Sequence, residues 1–230
     1  MKKLYHPDIE LIKRFVTGEL EAGPGLLVKA HLNNCEDCRI QAESEFESQA
    51  NNFFYTNSNL KLEKDVTDDI FNFILDKAEC TKAKVESNNI HKPPIVKFQN
   101  KTFSLPETFS FISDKDISWK EFGKNSAVAQ VTSGKTGGLY FIYLGPGETI
   151  PKHGHHGREY SYVLDGYYSS NGHKLDTGDF STFEESDIHE PSTTSEDGCL
   201  VVSWVENRLN FLHGVFTPLN QLLWWYLKRS

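Results

Sequence analysis

Apolar residues recur at helical spacing through the first third of the chain and then give way to short, often alternating runs. Ile9, Ile12, Phe15 and Val16 follow one another at three- and four-residue intervals, and Gly18 offers a stop, so residues 7–17 predict a helix. Pro7-Asp8-Ile9-Glu10 reads as its start, with proline at the first helical position and acids in the first turn. A second helix is expected from about Gly23-Pro24, carrying Leu26, Leu27, Ala30 and His31, and a third from about Asp37 through Phe46 toward Ala50. Residues 51–59, centred on Phe53, Phe54 and Tyr55, read as a break. Val66-Thr67-Asp68-Asp69 then predicts the cap of a fourth, amphipathic helix with Ile70, Phe73, Ile74 and Ala78.

From about residue 96 the pattern is different. Runs at 126–131, 139–144, 160–164 and 200–205 are strand-like and are separated by Gly, Pro, Asp and Asn. Such spacing predicts an antiparallel sandwich or barrel. Near the end, Leu222, Leu223, Tyr226 and Leu227 would share one side of a last short helix. The fold class is therefore α+β: a small N-terminal helical bundle over 1–85, a linker at 86–95 and an antiparallel β-barrel or sandwich over 96–230. The linker composition, Thr-Lys-Ala-Lys through Pro93-Pro94, already begins at residue 81.

A chain of 230 residues suffices for two modest domains, and 38% hydrophobic residues suit a folded protein. The net charge of −8 argues against a nucleic-acid binder, which would need a basic face. Acids exceed bases in both halves, so charge does not locate an interface. Four cysteines, Cys35, Cys38, Cys80 and Cys199, are too few for a secreted disulfide scaffold. Met-Lys-Lys opens the chain without an apolar stretch behind it, and no window approaches eighteen apolar residues. The expectation is a cytoplasmic protein with reduced thiols and no membrane contact.

The N-terminal third carries one constellation of chemistry. In His31-Leu-Asn-Asn-Cys35-Glu-Asp-Cys38 the three donors fall within a stripe roughly 60° wide at helical geometry. One imidazole and two thiolates at a helix end suit Zn²⁺, which prefers four N and S ligands in a tetrahedron. His6 is the nearest upstream candidate for the fourth. The alternatives are a redox Cys-x-x-Cys pair, which should follow a strand in a βαβ unit, and ordinary half-buried thiols. The third helix has an apolar face too thin for a self-sufficient core, and in a bundle of this size a metal would add folding free energy that burial does not supply.

A second constellation lies in the β-rich part. Gly147-x5-His153-x-His155-x3-Glu159-x6-Gly166 is followed by Gly178-Asp179-Phe180 and His189. Strand alternation puts His153 and His155 on one face and sends His156 to the other, while Gly157 lets the chain bend so that Glu159 returns to the same interior. His189 would arrive from a later strand. Three imidazoles and a carboxylate suit Zn²⁺, Fe, Mn or Ni. His91, His173 and His213 have no partner at ligand spacing, and Cys199 is read either as a redox sensor or as a small buried hydrophobe.

The first motif resembles the zinc-binding anti-sigma domain, and the opening His6-Pro7-Asp8 through Gly18-Glu19-Leu20 resembles the ChrR-type subgroup. The second resembles the cupin signature, matching its first part at every fixed position and its second part loosely, since Asp176-Thr177 stand where a proline is usual before Gly178. Both resemblances occur in ChrR-type order along one chain. They imply an anti-sigma factor that sequesters an extracytoplasmic-function-type sigma factor of RNA polymerase through residues 1–85. They also imply that it releases the partner when the cupin part senses an oxidative or other chemical signal. A fourth helix would help clasp the sigma factor. The implied ligand sets are His6, His31, Cys35 and Cys38 for zinc, and His153, His155, Glu159 and His189 for the cupin metal. No catalytic residues are implied, and the competing reading is an oxygenase-like cupin metalloenzyme with a zinc-binding appendage.

Overall fold

The structure, a computed structural model, describes residues 5–57, 93–207 and 209–211. The expected fourth helix, Cys80, His91, His213 and the C-terminal helix lie outside the described residues. Two compact units are present, Met1–Glu43 with Pro93–Ser230, and Ser44–Lys92.

Helix α1, Ile9–Val16, begins two residues later than the proline pattern predicts. Asp8, not Pro7, is the decisive residue: its carboxylate accepts a hydrogen bond from Leu11 N at 2.7 Å and caps the free amides. At the other end the expected stop is observed. Gly18 takes φ +74°, Gly18 N donates to Phe15 O and Glu19 N to Arg14 O, the paired bonds of a left-handed helix cap. Helix α2 spans Ala22–Asn34 and α3 spans Glu36–Asn57. The break expected at 51–59 is thus mostly helix. Asn and aromatic residues are weak helix formers, but with no Gly or Pro in the stretch nothing forces the helix to end there.

All strand pairings are antiparallel. The large sheet runs β3 (Lys120–Phe122), β4 (Ser126–Ser133), β5 (Gly137–Leu144), β11 (Cys199–Glu206), β7 (Glu159–Ser170) and β8 (His173–Asp176), with β9 (Phe180–Phe183) also on β7. A smaller sheet joins β10 (Ile188–His189), β6 (His153–His155) and β12 (Leu209–Phe211), and β1 (Ile95–Phe98) with β2 (Lys101–Ser104) form a hairpin.

Strand β11 explains its own unbroken apolar sequence, because both of its faces are covered. On one face Leu200, Val202 and Trp204 join Tyr160, Tyr162 and Phe180 and the buried side of α1 and α2, including Ile12, Leu27 and Val28, in a single core. On the other, Cys199 and Val201 pack with Val163, Tyr168 and Leu175 inside the barrel. The apolar stripes of α1 and α2 are therefore buried against the barrel wall.

Gly23 lets α2 approach the sheet closely, since an added Cβ would fall 1.9 Å from the Trp204 ring. Gly23→Ala improves helix propensity by up to about 1 kcal/mol, yet the overpacked contact is expected to cost about 1–3 kcal/mol. Urea unfolding should show the net destabilisation; a variant as stable as the parent would contradict this packing.

Two candidate metal centres

His31 sits in the last turn of α2, wholly buried, and Cys35 is the residue at which that helix stops. Cys35 adopts extended dihedrals (φ −118°, ψ 109°) while its N–H still closes onto His31 O, so the chain turns there and Cys38 belongs to the first turn of α3. A single helix stripe predicts the same three residues, but the device that gathers them is a helix–helix junction. His6, on the segment just before α1, completes the group.

The four donors lie within 4.8 Å of one another. His6 Nδ1 is 3.3 Å from His31 Nε2, 3.4 Å from Cys35 Sγ and 3.2 Å from Cys38 Sγ. One ring nitrogen carries at most one proton and satisfies one such neighbour. An ion at the centre satisfies all of them. At zinc bond lengths of about 2.0 Å to nitrogen and 2.3 Å to sulfur, the edges of a tetrahedron that run from a nitrogen are about 3.3–3.5 Å, close to those observed from His6. The donor set thus fits zinc.

Electrostatics point the same way. Burial, more than the Gly178 carbonyl can offset, holds the His31 imidazole down to about 4, so it is neutral at pH 7. Its Nδ1–H donates to Gly178 O at 3.0 Å, which leaves the Nε2 lone pair directed at the cluster. Burial, then Cys35 and Asp37, pushes the Cys38 thiol up to about 12. Two thiolates at this spot need a cation beside them, and a bound metal supplies it. Both cysteines are free thiols in the structure.

The second group assembles from three strands. His153 and His155 flank Gly154 on β6, Glu159 opens β7, and His189 closes β10, which pairs with β6 so that His189 lies opposite His153. Gly157 makes the bend at φ +112°, where a Cβ would meet Glu206 at 2.9 Å. All four side chains are buried and their donors lie within 4.8 Å of one another. His155 Nε2 is 2.9 Å from both His189 Nε2 and Glu159 Oε2, while His189 Nε2 is 3.8 Å from that oxygen. Three donors converging on one point again exceed what one shared proton can satisfy. His153 Nδ1–H donates to Pro151 O at 2.8 Å, leaving its Nε2 for the interior. His156 points elsewhere, exposed, with Glu185 3.9 Å away.

Burial alone would raise the Glu159 carboxyl, but His155, His189 and Ser161 together outweigh it and hold it well below the usual carboxylate range. Burial lowers His189 to about 4 and also lowers His153, against the pull of Glu159. Two residues not singled out in the sequence support the carboxylate. Ser161 Oγ donates to Glu159 Oε1 at 2.6 Å, so Ser203, also 2.6 Å from Ser161 Oγ, must donate to it. Strand alternation could have flagged Ser161, two residues after Glu159 on the same face. The cavity beside the cluster measures about 20 Å³ and is lined by Ile142, Leu144, Ile150, Val201, Glu159 and His189 among others. That volume admits one water or a comparably small molecule.

Cys199 is fully buried and its thiol is pushed far up by burial, first of all, and by Asp165 and Asp176, which leaves it inert. His173 accepts or donates a hydrogen bond with Tyr5 OH at 3.0 Å and takes no part in either cluster.

Residues 108–206 match the family model of the ChrR cupin-like domain. Over 208 residues the chain is 19% identical to the anti-sigma-E factor ChrR of Cereibacter sphaeroides, covering 90% of this chain and 92% of that protein. Its fold is similar to the crystal structure of Rhodobacter sphaeroides SigE in complex with the anti-sigma ChrR, with 17% identity, a TM-score of 0.64, and 88% of this chain and 98% of that one covered. An RmlC-like cupin from Ralstonia eutropha aligns over 48% of this chain and 82% of its own at 16% identity and a TM-score of 0.39.

An acid limit on the metal-free chain follows from the two depressed imidazoles. Unfolded histidines titrate near 6.5, whereas His31 and His189 hold out to about 4 when folded. Between those values the unfolded chain binds protons that the folded chain refuses, so stability falls as pH drops through the window and these two residues add no further loss below it. Urea midpoints of the demetallated protein should decline from about pH 6.5 to 4. A midpoint flat across that range would contradict the burial of these rings.

Proposed function

We propose, from the premise that residues 108–206 form a ChrR cupin-like domain, that the chain is an anti-sigma factor. Residues 1–85 hold an extracytoplasmic-function-type sigma factor of RNA polymerase, and the barrel ties release of that partner to an oxidative or other chemical signal. The observation that carries this reading is the occurrence, in one chain and in ChrR order, of two separate four-donor clusters, each with geometry suited to one ion. His6, His31, Cys35 and Cys38 would hold zinc as a structural staple, since a four-donor set of nitrogen and sulfur leaves no open position. His153, His155, Glu159 and His189 would hold Zn²⁺, Fe, Mn or Ni, whose open coordination positions would supply Lewis-acid or redox chemistry toward a small reactant.

The surface near the first cluster suits a protein partner. Ile9 and Ile40 are 47% and 55% exposed and flank a groove formed with His6, Pro7, Asp37, Cys38 and Gln41. Along α3, Phe46 and Phe53 are also exposed. Large apolar side chains left in solvent on one segment are what a docking surface requires. No helix among the described residues is long and apolar enough to cross a membrane, and a sigma factor would be met in the cytoplasm.

The competing reading, an oxygenase-like enzyme, needs room for an organic substrate beside the barrel metal. Among the described residues the adjoining cavity measures about 20 Å³, the size of a water-sized molecule. That favours a small reactive signal over an organic substrate, and the chain is proposed to be a regulator without catalytic residues.

Paired substitutions separate the two tasks. Cys35→Ser or Cys38→Ser should lower affinity for the sigma factor by tenfold or more in a pull-down and calorimetric titration, whereas His153→Ala should leave sigma binding intact and blunt its release by oxidant. Undiminished binding by the cysteine variants, or release by oxidant equal to that of the parent in His153→Ala, would overturn the assignment.

A further inference from the structure

His31 and the residue before His6 are held by the same three-residue stretch of the barrel. His31 Nδ1–H donates to Gly178 O at 3.0 Å. Tyr5, the residue before His6, is strapped to the same turn: Phe180 N donates to Tyr5 O at 2.9 Å, and Tyr5 N to Asp179 Oδ1 at 3.2 Å. The Asp179 carboxylate is almost wholly buried, and its other oxygen accepts from Asp176 N at 2.7 Å. Around this contact the Phe180 and Tyr162 rings meet the His31 ring edge-on, and Asn34 Nδ2 donates to Tyr162 OH at 2.6 Å.

The turn leads directly to the second cluster. β9 is four residues long and pairs residue by residue with β7, from Phe180 opposite Tyr162 to Phe183 opposite Glu159. At its far end the Phe183 ring packs on the His189 ring with centroids 4.0 Å apart. A shift of β9 along β7 would therefore be felt both at Glu159 and His189 and at the groups orienting His6 and His31.

We propose that the Gly178–Asp179–Phe180 turn is the outer shell of the His6/His31/Cys35/Cys38 centre, with Asp179 its positioning residue, and that β9 joins this turn to the strand and ring beside the barrel cluster. The proposal rests on the metal-centre reading of that first cluster. A ligand imidazole is fixed in tautomer and direction by the acceptor on its other nitrogen, and loss of such a support typically weakens metal binding by about tenfold or more. Here the acceptor on the His31 ring and the anchors of the backbone just before His6 belong to one turn of the barrel, so the two centres share a mechanical part rather than only a chain.

Cobalt(II) titration of the full chain tests this, because only the centre with sulfur ligands gives a thiolate-to-metal charge-transfer band. Asp179→Asn keeps side-chain size while replacing a carboxylate oxygen that accepts a backbone N–H. Gly178→Ala strains a turn at φ +94° without a clash, since nothing lies within 4 Å of the added Cβ. Both variants should bind cobalt at the thiolate centre at least about tenfold more weakly, with an altered thiolate band and the sulfur-free barrel spectrum retained. A parent-like midpoint and band shape in both variants would overturn the proposal. Equal loss of both centres would also overturn it, marking the turn as a general structural element. A parent chain with no thiolate band would instead remove the metal reading beneath it.

Discussion

One imidazole stands where the first helices meet the barrel within a single compact unit. His31 is wholly buried, its Nε2 faces His6 and its Nδ1 is tied to a barrel carbonyl, so its ring joins a helix junction to the turn before β9. Burial keeps it neutral, which is the state a metal ligand needs. Move that ring, and both the gathering of the four donors and the seating of α2 on the sheet are disturbed.

This constraint changes what the metal staple means. The sparse apolar face of the third helix suggests a bundle that depends on a metal for want of a core. In the folded chain, α1 and α2 share a core with Trp204, Tyr162 and Phe180 of the barrel. A metal there would act less as a substitute for burial than as a fixed point joining the segment before α1, the α2–α3 junction and the barrel turn. Such a point suits the proposed regulator, in which affinity for the partner would respond to strain arising in the barrel.

Both donor sets were legible in the sequence because metal ligands obey short-range geometry: His31, Cys35 and Cys38 cluster within eight residues, and His153, His155 and Glu159 within seven. His6 and His189 were reachable only as candidates, since nothing local says which distant histidine returns. The strands at 126, 139, 160 and 200 were readable from β-branched and aromatic runs. By contrast, the support from Gly178 is a backbone carbonyl and has no side-chain signature. Glycine 23 read only as a helix start, whereas its structural role is to let Trp204 approach. The helix through residues 51–57 was hidden because weak helix formers resemble a break when the tertiary context is absent.

The central claim is that an ion sits between two imidazoles and two sulfurs at the helix junction. Zinc-edge X-ray absorption on the chain carrying one equivalent of zinc, with His153 and Glu159 replaced by alanine to clear the barrel site, measures this most directly. The account predicts a four-coordinate shell of two sulfurs at about 2.3 Å and two nitrogens at about 2.0 Å. A shell of nitrogen and oxygen alone would contradict it.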